Sequence, residues 1–136
     1  MHADIAEVYM IRTYQVTDQR AIMRLIESEG LDWKDYYHPE GRQKYLRSLL
    51  DSITIVKTDG DEIIGYVRAI DDHGFGIYVC DLLVHQNHRG HGYGHQMMNH
   101  LMDLFKDQTF YVMSDVDSYY EQLGYERIGS IFQLKR

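Results

Sequence analysis

Cysteine, proline and tryptophan each occur once, at positions 80, 39 and 33, and no apolar run approaches the roughly 18 residues that span a bilayer. A lone cysteine excludes an intrachain disulfide. Cys80 falls in a stretch that reads as a buried strand, where an ordinary core thiol is a simpler account than a nucleophile, since the sequence identifies no activating partner. Lysine and arginine total 14 against 21 aspartates and glutamates, giving a net charge of −7 with no basic cluster. That excludes the positive face on which nucleic-acid binding depends. The acidic balance either concentrates a cationic substrate or serves solubility alone. With no bilayer-length run and no signal peptide ahead of the first strand, a membrane partner is not expected and the reading is cytoplasmic. At 136 residues and 44% apolar, the chain suits one domain over residues 1–136, able to bury about two thirds of its unfolded surface.

Periodicity then gives the order of elements. Met1 to Glu7 carry no pattern and read as a frayed end. Val8 to Gln15 alternates as a first strand. Thr17 or Asp18 is placed to cap a helix with Ile22, Leu25 and Ile26 as its buried stripe, ended by Gly30. Leu31 to Pro39 is a short aromatic connection, and a second helix from Glu40 to Asp51 turns Tyr45, Leu46, Leu49 and Leu50 inward. Strands at Ser52–Lys57 and Glu62–Ile70 flank Asp59-Gly60, a hairpin signal. A turn at Asp71–Gly74 leads into a strand from Phe75 or Gly76 to His85. The helix from Gly92 to Asp107 buries Met97, Met98, Leu101, Leu104 and Phe105. Thr109–Met113 is a short strand, Ser114 or Asp115 caps a short helix that stops at Gly124, and Tyr125–Leu134 supplies a closing strand pair. The order β-α-α-β-β-β-α-β-α-β predicts an α/β (α+β) fold, a mixed sheet with helices on both faces.

The junction between the strand ending at His85 and the following helix carries the chemistry. Gly90, Gly92 and Gly94 alternate there, leaving backbone without Cβ atoms at the start of a helix whose first amides lack intrahelical partners. The helix dipole and the charge of Arg89 make this an anion site suited to a pyrophosphate. The competing account is a glycine turn made only for packing. Five histidines, His85, His88, His91, His95 and His100, invite a metal reading, but neither a His-Glu-x-x-His pattern nor paired cysteines accompany them, so no metal is expected.

Arg89-Gly90-His91-Gly92-Tyr93-Gly94 resembles the signature of the GNAT superfamily of N-acetyltransferases: Arg or Gln, two residues, Gly, one residue, then Gly or Ala. Asp81-Leu82-Leu83-Val84-His85 looks like that family's central strand. Tyr119-Tyr120-Glu121-Gln122-Leu123-Gly124-Tyr125 is similar to its C-terminal motif, aromatic-Tyr-Glu-x-Leu-Gly-aromatic. The detailed likeness runs from about Ile53 to Ile128, and the N-terminal part agrees in layout. The resemblance implies a mostly antiparallel central sheet flanked by helices, with splayed central strands between which acetyl-coenzyme A lies as cosubstrate. It places the pantetheine arm against the backbone of Leu83 and Val84, in the manner of an added strand, and the pyrophosphate on the amides from Arg89 through Gly90, His91, Gly92, Tyr93 and Gly94 to His95.

The chemistry so implied is acetyl transfer to an amine. An alkyl amine with pKa near 10.4 costs about 4.6 kcal/mol to deprotonate at pH 7, so a proton acceptor is needed, often through water. Asp81, on the central strand, is the candidate base; the alternative is a carboxylate that orients a loop or binds substrate charge. His85 and His73 are weaker candidates. Tyr120 matches the family's usual general acid, which protonates or hydrogen-bonds the departing thiolate; the alternative is a core tyrosine, for which Tyr119, one position earlier, is the comparator. Trp33, Tyr36, Tyr37 and Glu40 border the acceptor side in this layout, or plug the sheet edge. Where many members carry an Asn before the Tyr-containing helix, this chain has Met113-Ser114-Asp115-Val116-Asp117-Ser118, with Ser114 as a substitute, and Gln86 stands where proline is common. The acceptor is read as a small or cationic molecule or a peptide amine. A homodimer through the C-terminal strands is compatible with the resemblance. The alternative function is a catalytically silent module that senses acyl-coenzyme A or binds a partner.

Overall fold

The computed structural model describes residues 9–136; the end expected to fray, Met1–Glu7, and the first residue of the expected first strand, Val8, lie outside the described residues. Strand β1, Tyr9–Thr13, pairs antiparallel with β2, Ile53–Asp59, which pairs with β3, Glu62–Asp71, and β3 with β4, Ile77–Val84. The β2–β3 connection is the tight turn foreseen at Asp59-Gly60, with Gly60 at φ +59. β5, Phe110–Val112, joins β4 in parallel and completes the order β1-β2-β3-β4-β5.

Helices cover both faces. On one lie α1, Gln19–Glu27, the single turn α2, Lys34–Tyr37, and α3, Pro39–Asp51; on the other lies α4, Tyr93–Leu104. A short α5, Asp117–Gln122, follows β5. Ile22, Leu25, Ile26, Tyr45 and Leu49 pack with Val56, Tyr66 and Leu83 of the sheet, while Met97, Met98 and Leu101 of α4 pack with Ile55, Val67, Ile77 and Val79. The two clusters are the two sides of one pleated sheet, and the alternation along β2 sends Val56 to one and Ile55 to the other.

Several elements depart from the expected ones. α1 is preceded by a 3-10 turn, Val16–Asp18, and Asp18 acts there as an anchor: its carboxylate takes two bonds from the Arg12 guanidinium, at 2.8 and 2.9 Å, and one from the Gln15 amide at 2.8 Å. The aromatic connection is itself helical, a 3-10 turn at Leu31–Trp33 running into α2, which stops at the extended His38 because Pro39 follows and serves as the first residue of α3. Leu50 and Leu104, expected inside, are exposed. Leu50 lies about 100° around the axis from Leu49, which does reach the sheet side, and Leu104 is the last residue of α4, after which the non-helical Phe105 turns back onto the core. The short helix α5 takes Val116 as its N-cap rather than Ser114 or Asp115; the Ser114 hydroxyl instead accepts from the Val116 amide.

The expected closing strand pair at Tyr125–Leu134 is not formed. Ile128, Ile131, Phe132 and Leu134 are 71, 75, 82 and 91% exposed, and the segment holds no strand. Its apolar content is real, but a strand exists only through a neighbour that takes its backbone groups, and β5 offers an edge of three residues.

Candidate functional site

The β3–β4 ladder contains the irregularity on which the site depends. Arg68 faces Asp81 and Ala69 faces Val79, so Cys80 is an extra residue, a bulge. Without it Asp81 would share the face of Val79 and point toward α4. The bulge reverses the alternation, and Asp81 turns instead toward Tyr45 and Tyr66 on the α1–α3 side.

β4 and β5 part just beyond this point. Ile77, Tyr78 and Val79 pair with Phe110, Tyr111 and Val112, a last bond runs from the Met113 amide to the Val79 carbonyl, and then the chain swings away into α5. From Cys80 to Val84 the β5 side of β4 has no strand partner, which is the splay expected of the central strands. Residues from both sides of the opening line a cleft of about 460 Å³: Asp32, Trp33 and Tyr36 from the α1–α3 side, Cys80, Asp81 and Leu82 from β4, and Ser114, Asp115 and Tyr120 from beyond β5. Tyr37 is not in this wall; its hydroxyl donates to the Gly30 carbonyl at 3.1 Å and ties α2 back to the end of α1. Glu40 lies exposed in the first turn of α3.

Asp81 is buried and already engaged. Its Oδ2 accepts from the Tyr45 hydroxyl at 2.7 Å and from Arg68 Nε at 2.6 Å, and the Tyr45 and Tyr66 hydroxyls are 2.6 Å apart. Burial pushes both phenols far above their ordinary value, so both remain protonated. Burial works against the Arg68 cation, but the adjacent Asp81 outweighs it and holds the guanidinium above its usual range. Arg68 also donates to the Ser52 hydroxyl at 3.2 Å. The result is a fixed carboxylate in a polar cluster at the cleft floor.

Tyr120 is half-buried, and burial, then the neighbouring Tyr119, Asp115 and Tyr125, pushes its phenol up to about 12. Cys80 is half-buried in the cleft wall, more open than the expected core thiol because the bulge turns it there; burial pushes its thiol up, so it is not an activated nucleophile. His73 is exposed in the β3–β4 turn at φ +51, and His85 Nδ1 accepts from the Asn87 amide at 3.1 Å.

The glycine stretch opens α4. Gly92 is the N-cap in a left-handed conformation, φ +78, and Gly90 has φ +84; a Cβ on either would project into open space. The first helical bond runs from the Gln96 amide to the Gly92 carbonyl at 3.0 Å, which leaves the amides of Tyr93, Gly94 and His95 without partners inside the helix. Gly94 has a different reason for being glycine. A Cβ there would lie 2.5 Å from the Tyr119 hydroxyl, so α5 packs directly against the first turn of α4. Arg89 does not stand free at the cradle: Nε donates to the Val84 carbonyl at 2.9 Å, and the guanidinium pairs with Glu29 at the end of α1. The expected full positive charge is thus largely neutralised, and the anion character of the loop rests on its amides. Gln86, in the same junction, reaches the Ser28 carbonyl at 3.2 Å. Among the described residues no group of three His, Cys, Asp or Glu side chains is placed to hold a metal, and no helix is long and apolar enough to cross a membrane.

Tyr45, Tyr66, Arg68 and Glu29 were not singled out from sequence as site residues. Arg68 carried a signal, a lone cation in the middle of an apolar strand that would need a buried partner. The role of Glu29 had none, since its partner is 60 residues away.

The splayed parallel pair, the helix opening on left-handed glycines and the cleft tyrosine define a class. The profile of the acetyltransferase (GNAT) family matches residues 20–125, and the chain belongs to that family. Two curated relatives, each an uncharacterized N-acetyltransferase ycf52, from Pyropia yezoensis and Porphyra purpurea, are 26% identical over 83 residues, 57% of this chain and 48% of theirs. The match thus spans about half the length of these relatives. Among solved structures, a GNAT family acetyltransferase from Streptococcus pneumoniae superposes with a TM-score of 0.71 at 20% identity, covering 94% of this chain and 99% of that one. An aminoglycoside acetyltransferase from an uncultured soil metagenomic sample gives 0.72 at 19%, covering 94% and 98%. A ribosomal-protein-alanine N-acetyltransferase from Brucella melitensis gives 0.71 at 17%, covering 94% and 99%. At these identities the likeness is one of fold.

Proposed function

We propose that this protein transfers the acetyl group of acetyl-coenzyme A to an amine of a small or cationic acceptor. The observation that carries the reading is the coincidence of three features at one opening: unpaired β4 backbone, the unpartnered amides of α4, and a cleft holding Asp81 and Tyr120. The residues present fit the cosubstrate. On the unpaired edge of β4, Leu83 and Val84 are placed to meet an extended amide chain, with the Val84 carbonyl already accepting from Arg89 Nε, and the amides from Gly90 to His95, with no Cβ at Gly90 or Gly92, offer a phosphate seat. The thioester brings a carbonyl open to attack and a thiolate leaving group.

The chain's own groups then have separable tasks. Asp32 and Asp115 at the cleft wall draw a cation, and the Trp33 and Tyr36 rings give it an aromatic surface. Asp81 accepts the amine proton, directly or through water, on the oxygen that neither Tyr45 nor Arg68 occupies. Tyr120 meets the departing sulfur. With a phenol near 12 and a thiol near 8.5, full proton transfer is uphill by about 5 kcal/mol, so its contribution is a hydrogen bond that stabilises the thiolate as it forms. The aminoglycoside and protein-alanine acceptors for which two structural neighbours are named mark the range of amines to screen.

One observation favours a second reading, acyl-coenzyme A binding without turnover: Asp81 is already paired with Arg68. Thermal unfolding with acetyl-coenzyme A, against adenosine diphosphate as control, tests binding; a ligand at 100 times its Kd stabilises by about 2.7 kcal/mol. Amine-dependent release of free thiol then separates the two readings, and thiol release with no dependence on any amine would refute the acceptor assignment. Gly92→Glu should abolish binding; retained tight binding would remove the phosphate seat from this loop.

A further inference from the structure

Lys57 is a buried cation without a counter-ion among the described residues. It lies in β2 on the α4 side of the sheet, is 5% exposed, and forms one hydrogen bond, from Nζ to Gln96 Oε1 at 2.8 Å. No carboxylate among the described residues pairs with it. Instead Nζ lies 4.5 Å from the centre of the Tyr93 ring and 5.7 Å from that of Tyr9. Cation–π contact offsets part of the loss of water, but an unpaired buried charge is among the least tolerated features of a protein interior. Its position compounds the cost. Tyr93 and Gln96 belong to the first turn of α4, so the ammonium sits beside the positive end of the helix dipole, like charge against like. Burial lowers the Lys57 pKa accordingly. Among the described residues, the Gln96 hydrogen bond and the two rings offset this arrangement only in part. An anion on the amides of Tyr93, Gly94 and His95, in the same first turn of α4 that Lys57 touches, would complete the compensation.

We propose that Lys57 is the buried counter-charge of the phosphate seat, raising its affinity for a pyrophosphate through space rather than by contact. The inference rests on the cofactor reading above. It also accounts for how the loop holds a dianion once Arg89 is committed to Glu29. At an effective dielectric of about 20, the attraction between this ammonium and a phosphate seated on the same end of α4 is worth about a tenfold change in affinity, and because the charge is buried, salt screens it little.

The test is calorimetric binding of coenzyme A and of adenosine diphosphate to the wild-type chain, Lys57→Met, Lys57→Gln and Lys57→Arg, with the unfolding midpoint of each unliganded protein. The expected pattern has opposite signs in the two measurements. The neutral variants bind both ligands about tenfold more weakly, at low and at about 0.5 M salt alike, yet unfold no earlier than wild type, while Lys57→Arg keeps most of the affinity. A side chain that merely supported α4 would lower the midpoint and leave affinity alone. Neutral variants that bind within about twofold of wild type, or that both fail to fold, overturn the role of Lys57 while leaving the cofactor reading intact. A wild-type chain that binds neither ligand removes the cofactor reading, and the anion that Lys57 would face goes with it.

Discussion

Replacing Asp81 by Asn keeps the volume of the side chain and removes its charge. Two donors converge on Oδ2, Arg68 Nε at 2.6 Å and the Tyr45 hydroxyl at 2.7 Å, and the Arg68 side chain is only 12% exposed, so the guanidinium loses its counter-ion inside the protein. Breaking a buried pair from one side costs about 3–5 kcal/mol, and the retained amide oxygen recovers part of this, which sets the expected loss for Asp81→Asn at about 3 kcal/mol. A chain of this size has roughly 7–20 kcal/mol in total, so the variant folds but its urea midpoint falls clearly. Arg68→Met should then lose less in the Asp81→Asn background than in wild type, with a coupling of about 1.5 kcal/mol or more. The assay is equilibrium urea unfolding of the four proteins of this cycle. A loss below about 1 kcal/mol, or strictly additive effects, would refute the buried-pair argument. It would also change the reading of kinetics, because only a variant whose fold is intact can report on Asp81 as a proton acceptor.

Tyr120→Phe should lower kcat with coenzyme A affinity preserved; because burial holds the phenol near 12, the wild-type rate should show no loss through pH 10, where an ordinary tyrosine would ionise. Unchanged turnover in the variant, or a wild-type fall at pH 10 that the variant lacks, counts against the role. Gly94→Ala places a Cβ 2.5 Å from the Tyr119 hydroxyl and should cost about 1–3 kcal/mol despite the better helix former. In a Tyr119→Phe background, where that oxygen is gone, the same change should be neutral or stabilising by thermal unfolding, and an unrelieved loss would place the clash elsewhere. Asp18 is held below the usual carboxylate range, first by the Arg12 hydrogen bonds, against burial, and then by the Gln15 amide. A depressed carboxylate contributes stability that is present above its unfolded pKa near 3.9 and is lost as pH falls through the lower folded value. Asp18→Asn should therefore cost about 1.5–3 kcal/mol at pH 7 and flatten the acid limb of the stability curve below pH 4; an unaltered acid limb would show that the pair is not formed in solution.

The elements on the two sides of the sheet were legible because each carries its own periodicity. The stripe of Met97, Met98 and Leu101 reads as helix wherever it packs, and Asp59-Gly60 specifies its turn without distant help. Gly90 and Gly92 were legible for the same local reason, since their backbone conformations are ones that other residues avoid. Tyr125–Leu134 shows the limit: alternation proposes a strand, but only a neighbouring edge can make one. The residues alone thus carried the succession of helices and strands as far as the helix Asp117–Gln122, the glycine-opened helix and the family. Where the charges go was settled only by the packing of distant segments. The bulge at Cys80 turned Asp81 to the other face and into the reach of Arg68 and Tyr45, Arg89 met Glu29 across 60 residues of chain, and Lys57 was left beneath α4 against Gln96 and two aromatic rings. Charge pairing acts through space over a few ångströms, and sequence spacing carries no record of which distant residues will be brought that close.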